Sequence, residues 1–197
     1  LWIGFWRGGA CTFDGVECRR PTGVDRLETS TVRAIFHDSR GDHWFGTDEG
    51  LYRRRGERWK RYGLADGLPT DAIRVVKEGA DGALWVGTYG GGIVRMSGDR
   101  VESLDTSHGL SHDLIRSIYV DGDGVVWVGT EGRGLNRVFV SPRAPLSAAR
   151  ITAYTKEVGL FSDVVHQIVE DDVGRLWMSS NQGIFWAHRE DLEAFAR

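Results

Sequence analysis

Four cations recur at one place in this sequence. Arg33, Arg74, Arg116 and His166 each stand six residues after a leucine, namely Leu27, Leu68, Leu110 and Leu160. Cations gathered in this way favour carboxylate or sulfate groups, because the planar guanidinium fork matches a pair of anionic oxygens. Two readings stay open. Equal offsets would place the four around the mouth of one site, ready for an anion. Alternatively, each pairs with a nearby acid (Asp71, Asp113 or Asp163, three residues after the leucine) in ion pairs worth little.

Other chemistry is thinner. "DGDG" at Asp121 to Gly124 has the start of a calcium loop but lacks the later ligands of a 12-residue site. His108 and His112 lie in a loop beside Asp113, with nothing to fix a metal geometry. No Ser-His-Asp order or carboxylate pair stands apart from the rest, so neither a catalytic residue nor a cofactor is expected. Cys11 and Cys18 flank "TFDGVE". A two-residue Asp14-Gly15 turn would set Cys11 opposite Cys18, with Tyr52 opposite Trp59 and Val94 opposite Val101 in the corresponding hairpins. Such a pair is within disulfide reach. Two reduced thiols packed as small hydrophobes fit equally well.

The elements that position these residues are written as a repeat. The anchors Trp2, Trp44, Trp85, Trp127 and Trp177 are spaced by 42, 41, 42 and 50 residues. Each anchor leucine lies 17 residues before the next of these tryptophans. The last interval is longer because eight residues, Ser141 to Ala148, are inserted. Inside one period come four apolar runs closed by Gly or Asp, which are strand signals. The second run always carries the Trp, as in "LWVGT". Four strands, A to D, in about 40 residues are the signature of a β-propeller blade. A blade cannot bury its two faces alone, so copies must stack, with the Trp wedged between them.

The expected fold is therefore all-β: an open propeller arc of about five blades, the first lacking strand A and the last strand D. Blade 1 is assigned to 1–29, blade 2 to 30–70, blade 3 to 71–112, blade 4 to 113–162 and blade 5 to 163–197. The chain begins inside a repeat, so it reads as a fragment with unpaired edges. "REDLEAFAR" has helical spacing and is expected to cap the arc. The B–C loops and D–A connections share one end. The B–C loops vary most, and specificity usually lives in such loops. Tyr89 and Arg133 on those loops join the four cations as candidate ligand contacts.

"LWVGT" followed by "GGGIVRM", with "YGLADGLPTDAIRVV" ahead of it, resembles the two-component regulator propeller repeat. That resemblance implies the extracytoplasmic, ligand-sensing propeller of bacterial hybrid histidine kinases and some diguanylate cyclases. It implies a periplasmic, non-catalytic sensor for a small-molecule or oligosaccharide ligand, glycan-derived and, if the cations converge, anionic. It further implies that the remaining blades and C-terminal signalling domains lie elsewhere in the parent, and it admits a dimeric receptor. Arg26 and Ser179-Ser180 depart from the usual Gly and Gly-Thr. Two other readings are a polysaccharide hydrolase or lyase and a protein-interaction scaffold. A net charge of −3 without a basic block argues against nucleic acid. No apolar run approaches the roughly 20 residues of a membrane span, so no direct membrane contact is expected.

Overall fold

The computed structural model describes every residue except Asp25 and Arg143. Its strands form five separate antiparallel sheets, each built from chain neighbours. The first holds β1 (Trp2–Gly4), β2 (Ala10–Phe13) and β3 (Cys18–Arg19). The second holds β4 (Val32–His37), β5 (His43–Thr47), β6 (Gly50–Arg55) and β7 (Arg58–Tyr62). The third holds β8 (Ile73–Glu78), β9 (Leu84–Thr88), β10 (Ile93–Ser97) and β11 (Arg100–Leu104). The fourth holds β12 (Ile115–Val120), β13 (Val126–Thr130), β14 (Leu135–Phe139) and β15 (Arg150–Tyr154). The fifth holds β16 (Gln167–Glu170), β17 (Arg175–Ser180) and β18 (Gly183–His188), followed by α1 (Arg189–Phe195). None of the sheets closes on another, so the chain is the expected open arc of five blades.

The core lies between sheets. Trp44 packs with Leu68, Ile73 and Val76, which lead into and form the next blade. Trp85 packs with Ile115 and Ile118, and Trp127 with Val165 and Ile168, in the same way. Each indole is wedged where the sequence placed it. On the turn joining strands A and B, Asp38, Asp121 and Asp171 accept from the Nε1 of Trp44, Trp127 and Trp177 at 2.8, 3.0 and 2.8 Å. In the third blade Gly79 takes that place, and Arg95 lies over the Trp85 ring as Arg53 and Arg175 lie over Trp44 and Trp177.

Close stacking explains the Gly after the Trp. A Cβ on Gly46 would lie 2.8 Å from Ile73 Cγ2, and one on Gly87 would lie 2.7 Å from Ile115 Cγ2. Strand A of the next blade therefore passes where a side chain would stand.

The C–D hairpins depart from the expected register. Tyr52 faces Arg61 and not Trp59, and Val94 faces Ser103 and not Val101. The turns are Gly56-Glu57 and Gly98-Asp99, with the Gly at φ 58° and 61° in the first central position. Glycine there suits the turn that follows strand twist. In the first blade Phe13 faces Cys18. The Asp14 carboxylate accepts from Val16 N and Glu17 N, both at 2.9 Å, and opens the turn to four residues. Cys11 and Cys18 are joined by a disulfide across the diagonal, with Cα atoms 5.6 Å apart.

Candidate functional site

The B–C loops of the second to fifth blades are pinned by one side chain each. Thr47, Thr88 and Thr130 Oγ1 donate to the carbonyls of Gly50, Gly92 and Gly134, each at 2.8 Å. They also accept from Glu49, Gly91 and Arg133 N, each at 3.0 Å. Ser180 makes the same pair of bonds, so the last repeat keeps the pin despite its altered residue. Sequence patterning showed the Gly-Thr step but not this use of the hydroxyl. The pin fixes the next residue in each loop: Asp48, Tyr89, Glu131 and Asn181. Trp6 holds the matching place in the first blade.

Those residues meet the cation column. Arg33 gives two hydrogen bonds to the Asp48 carboxylate, both 3.2 Å, and lies 4.2 Å over the Trp6 ring. Arg74 lies 3.9 Å from the same carboxylate and 4.4 Å over Tyr89. Arg116 is bonded to Glu131 and lies 6.0 Å from the Tyr89 ring centre. One unbroken rim results: Trp6, Arg33, Asp48, Arg74, Tyr89, Arg116, Glu131. It crosses four blades at the end where B–C loops and D–A connections meet. His166 Nε2 is bonded to Asn181 Oδ1 at 2.7 Å, which repeats the arrangement in the fifth blade.

Strand register aims these side chains. The pairing of strands A and B slips at Val32/Ala34, Ile73/Val75 and Ile115/Ser117. The residue inside each slip is Arg33, Arg74 or Arg116. A bulge leaves one residue out of the pleat and re-aims it. Periodicity left their direction open, since both faces of a blade are buried and alternation alone gives none; the contacts with Asp48, Tyr89 and Glu131 show where they lie.

Charge along the rim is unevenly matched. Arg33 and Arg116 each hold a carboxylate, whereas Arg74 has only the far side of Asp48. Burial, then the charge of Arg33 and, beyond the partial relief from Asp48, that of Arg116 push the Arg74 guanidinium below its usual pKa. Its Nε is buried without a hydrogen bond. The cations are thus neither bare nor paired as expected. Asp71, Asp113 and Asp163 do not pair with the column; they accept from Leu64, Thr106 and Lys156 N at 3.2, 2.7 and 2.8 Å, fixing the D–A turns. Their side chains close the 3₁₀ turns that follow strand D, because the main-chain donors there have no ladder partner.

The remaining candidates stand apart from the rim. The Arg133 side chain is exposed and makes no ion pair among the described residues. His108 Nδ1 is bonded to Asp105 at 2.8 Å, and His112 Nδ1 accepts from Leu114 N at 2.9 Å, so the two do not share a ligand. Asp121 accepts from Asp123 N, Val125 N and Trp127 Nε1, which occupies the "DGDG" carboxylate. Among the described residues, no group of three His, Cys, Asp or Glu has metal-holding geometry.

Stacked blades carrying a loop-built cationic and aromatic rim at one end define a β-propeller segment. The family model described as two component regulator propeller matches residues 26–49, 67–90, 109–132 and 159–182, and the chain belongs to that family. No curated protein matches it. Among solved structures, it is similar to the extracellular domain of a protein described as a hybrid two component system, BT3049 from B. thetaiotaomicron. The TM-score is 0.80 at 24% identity, over 93% of this chain and 25% of that one. PorZ, a component of the type-IX secretion system of Porphyromonas gingivalis, gives 0.69 at 16% identity over 95% and 30%. Virginiamycin B lyase from Staphylococcus aureus gives 0.60 at 17% identity over 91% and 61%. The chain spans a quarter to three fifths of these relatives. At such identities the likeness concerns the fold.

Proposed function

We propose that this segment is part of the extracytoplasmic, non-catalytic sensor of a bacterial transmembrane signalling receptor. It binds a small anionic ligand, such as a uronate or sulfated sugar, on the rim of Arg33, Arg74 and Arg116, with Tyr89 between the last two. Occupancy is relayed to a kinase or cyclase output domain elsewhere in the parent. Family membership supports the signalling role. The observation that carries the site is the bulge centred on each arginine: three register slips at one offset put three guanidinium groups on one rim. Arg74 is the entry point, because a ligand carboxylate or sulfate would supply the full counter-charge that Asp48 divides between two arginines.

The test is thermal unfolding with glucuronate and with a sulfated monosaccharide. A ligand at 100 times its Kd stabilises by about 2.7 kcal/mol. For a chain of this size, that raises Tm by roughly 5–10 °C. The Arg74→Ala, Arg116→Ala double variant should lose the shift while remaining folded. An unchanged shift in that variant, or none in the parent with any such anion, removes the site.

A further inference from the structure

Each pair of neighbouring blades frames a crevice beside the Trp of strand B. Arg53, Arg95 and Arg137 face Trp44, Trp85 and Trp127 across the B–C pair. Two of these three arginine-bearing crevices are covered by the chain itself. Over the third blade lies the inserted connection between β14 and β15. Its Leu146 is 1% exposed, and Arg95 donates to the Pro142 carbonyl at 2.7 Å. Over the fourth blade lies α1. Leu192 joins the core around Trp127, Tyr154 Oη donates to the Leu192 carbonyl at 2.6 Å, and Arg137 grips the Glu193 carboxylate with two bonds of 2.7 Å. Both covers deliver an aliphatic side chain to the indole and an oxygen acceptor to the arginine.

The crevice over the second blade has no cover. The connection of the adjacent blade that would reach it, between β10 and β11, is only Gly98-Asp99. A cavity of about 350 Å³ remains, lined on its apolar side by Trp44, Tyr62, Leu84, Met96 and Val101 and elsewhere by Arg53 and other charged side chains of both signs. Its aromatic pair repeats that of the fourth blade. Ring centres of Trp44 and Tyr62 lie 5.7 Å apart at 34°, against 6.1 Å and 33° for Trp127 and Tyr154. Tyr62 faces Leu51 as Tyr154 faces Leu135. Among the described residues, neither the Tyr62 hydroxyl nor the Arg53 guanidinium has a hydrogen bond. Asp42 lies 3.8 Å from Arg53, but Arg55 holds it through three bonds of 2.8, 3.0 and 2.6 Å. The crevice over the first blade differs, because Thr12 and not an arginine faces Trp2.

We propose that the crevice between the second and third blades is a docking site for a short acidic, amphipathic helix of a partner protein. The partner seats a branched aliphatic side chain against Trp44 and Tyr62. It presents a main-chain carbonyl to the Tyr62 hydroxyl and a carboxylate to Arg53. The argument is chemical complementarity: the equivalent Trp127, Arg137 and Tyr154 of the fourth blade, two crevices along the arc, already hold a Leu-Glu helix of this chain. None of the rim residues takes part, so the site stands independently of the proposed ligand site.

The probe is a fluorescently labelled peptide of the α1 sequence, Arg189 to Arg197, held helical by a side-chain link on its solvent face. Its anisotropy is read on titration with the full chain. Saturable binding is expected. Arg53→Ala, and Glu193→Gln in the peptide, should each weaken it about tenfold, the loss of a charge-assisted pair. Tyr62→Phe should weaken it severalfold by removing a single donor. Thermal unfolding shows whether each variant is folded. Absence of saturable binding overturns the proposal. So does binding unaffected by Arg53→Ala and Tyr62→Phe. Binding lost in Arg137→Ala but kept in Arg53→Ala means the peptide merely displaces α1, and it also overturns the proposal.

Discussion

Single side chains on the A–B turns tie several donors at once. Asp121 accepts from two main-chain N–H groups and one indole, and it is buried. Asp121→Ala would leave Val125 N and Trp127 Nε1 buried and unpaired. A cost of about 2–3 kcal/mol is expected in urea unfolding, the desolvation penalty of stranded donors. Trp127→Ala should cost more, about 3–5 kcal/mol, since it empties an aromatic from between two blades. Asp171 carries a pH signature. Desolvation pushes its carboxyl up, but bonds from Trp177, Arg175 and Val173 together outweigh it and hold the pKa well below the usual range. A depressed acid stabilises fully above its unfolded value, near pH ~4, and that contribution fades as pH falls through the folded value. Asp171→Asn should therefore flatten the acid limb of a Tm-against-pH curve, and an unchanged limb would contradict this. Arg26 stands at φ 67°, where Gly67, Gly109 and Gly159 occupy the other repeats. Arg26→Gly should raise stability by roughly 1 kcal/mol through relief of left-handed strain, measurable by the same urea unfolding.

At the scale of the strand, one offset carries two jobs. Strand A supplies the buried Ile73 and Ile115 that press on the glycines of the preceding blade, and one residue later its register slips. The close approach and the slip thus sit on adjacent residues of one strand. Gly87→Ser should therefore disturb both. The added atoms would meet Val75 at 2.5 Å and Ile115 at 2.7 Å. Overpacking of this kind costs about 1–3 kcal/mol, and Arg116, on the strand displaced, should lose its hold on Glu131. The fifth blade shows the converse. Ser179 fills the Gly position in β17, and among the described residues no sheet follows to press on it.

Across the whole arc, apolar exposure gathers on the two end blades. Val169, Trp177 and Trp186 form one row across the fifth sheet, and Val169 and Trp186 are 54% and 46% exposed. Ile184 beside them is 73% exposed, and Trp6 on the first blade is 70% exposed. A contiguous apolar face of this sort marks a contact surface. Further blades of the parent are the proposed cover. The isolated segment should self-associate, and Trp186→Lys with Ile184→Lys should shift sedimentation velocity toward monomer. Monomer for both proteins at high concentration would count against an open contact face.

The repeat was legible in the sequence because its spacing is a packing requirement. Trp85, Gly87 and Leu110 recur at fixed distances since each must meet the neighbouring copy at one place, and a period with four strand signals leaves few architectures. The cation column was legible for the same reason: equal offsets land at equivalent positions. Its direction was not. Alternation cannot orient a residue on a blade buried on both faces, and the bulges at Arg33, Arg74 and Arg116 depend on how strand A lies against strand B. The partners Asp48 and Glu131 were also hidden, being 15 residues from their arginines, across a strand pair whose register no local pattern states. The hairpin registers failed because a glycine serves either central turn position, and only the twist of the paired strands chooses. What covers each crevice was decided last of all. Leu146 and Leu192 read as loop and helix residues, and only stacking brings them onto the tryptophans of a preceding blade.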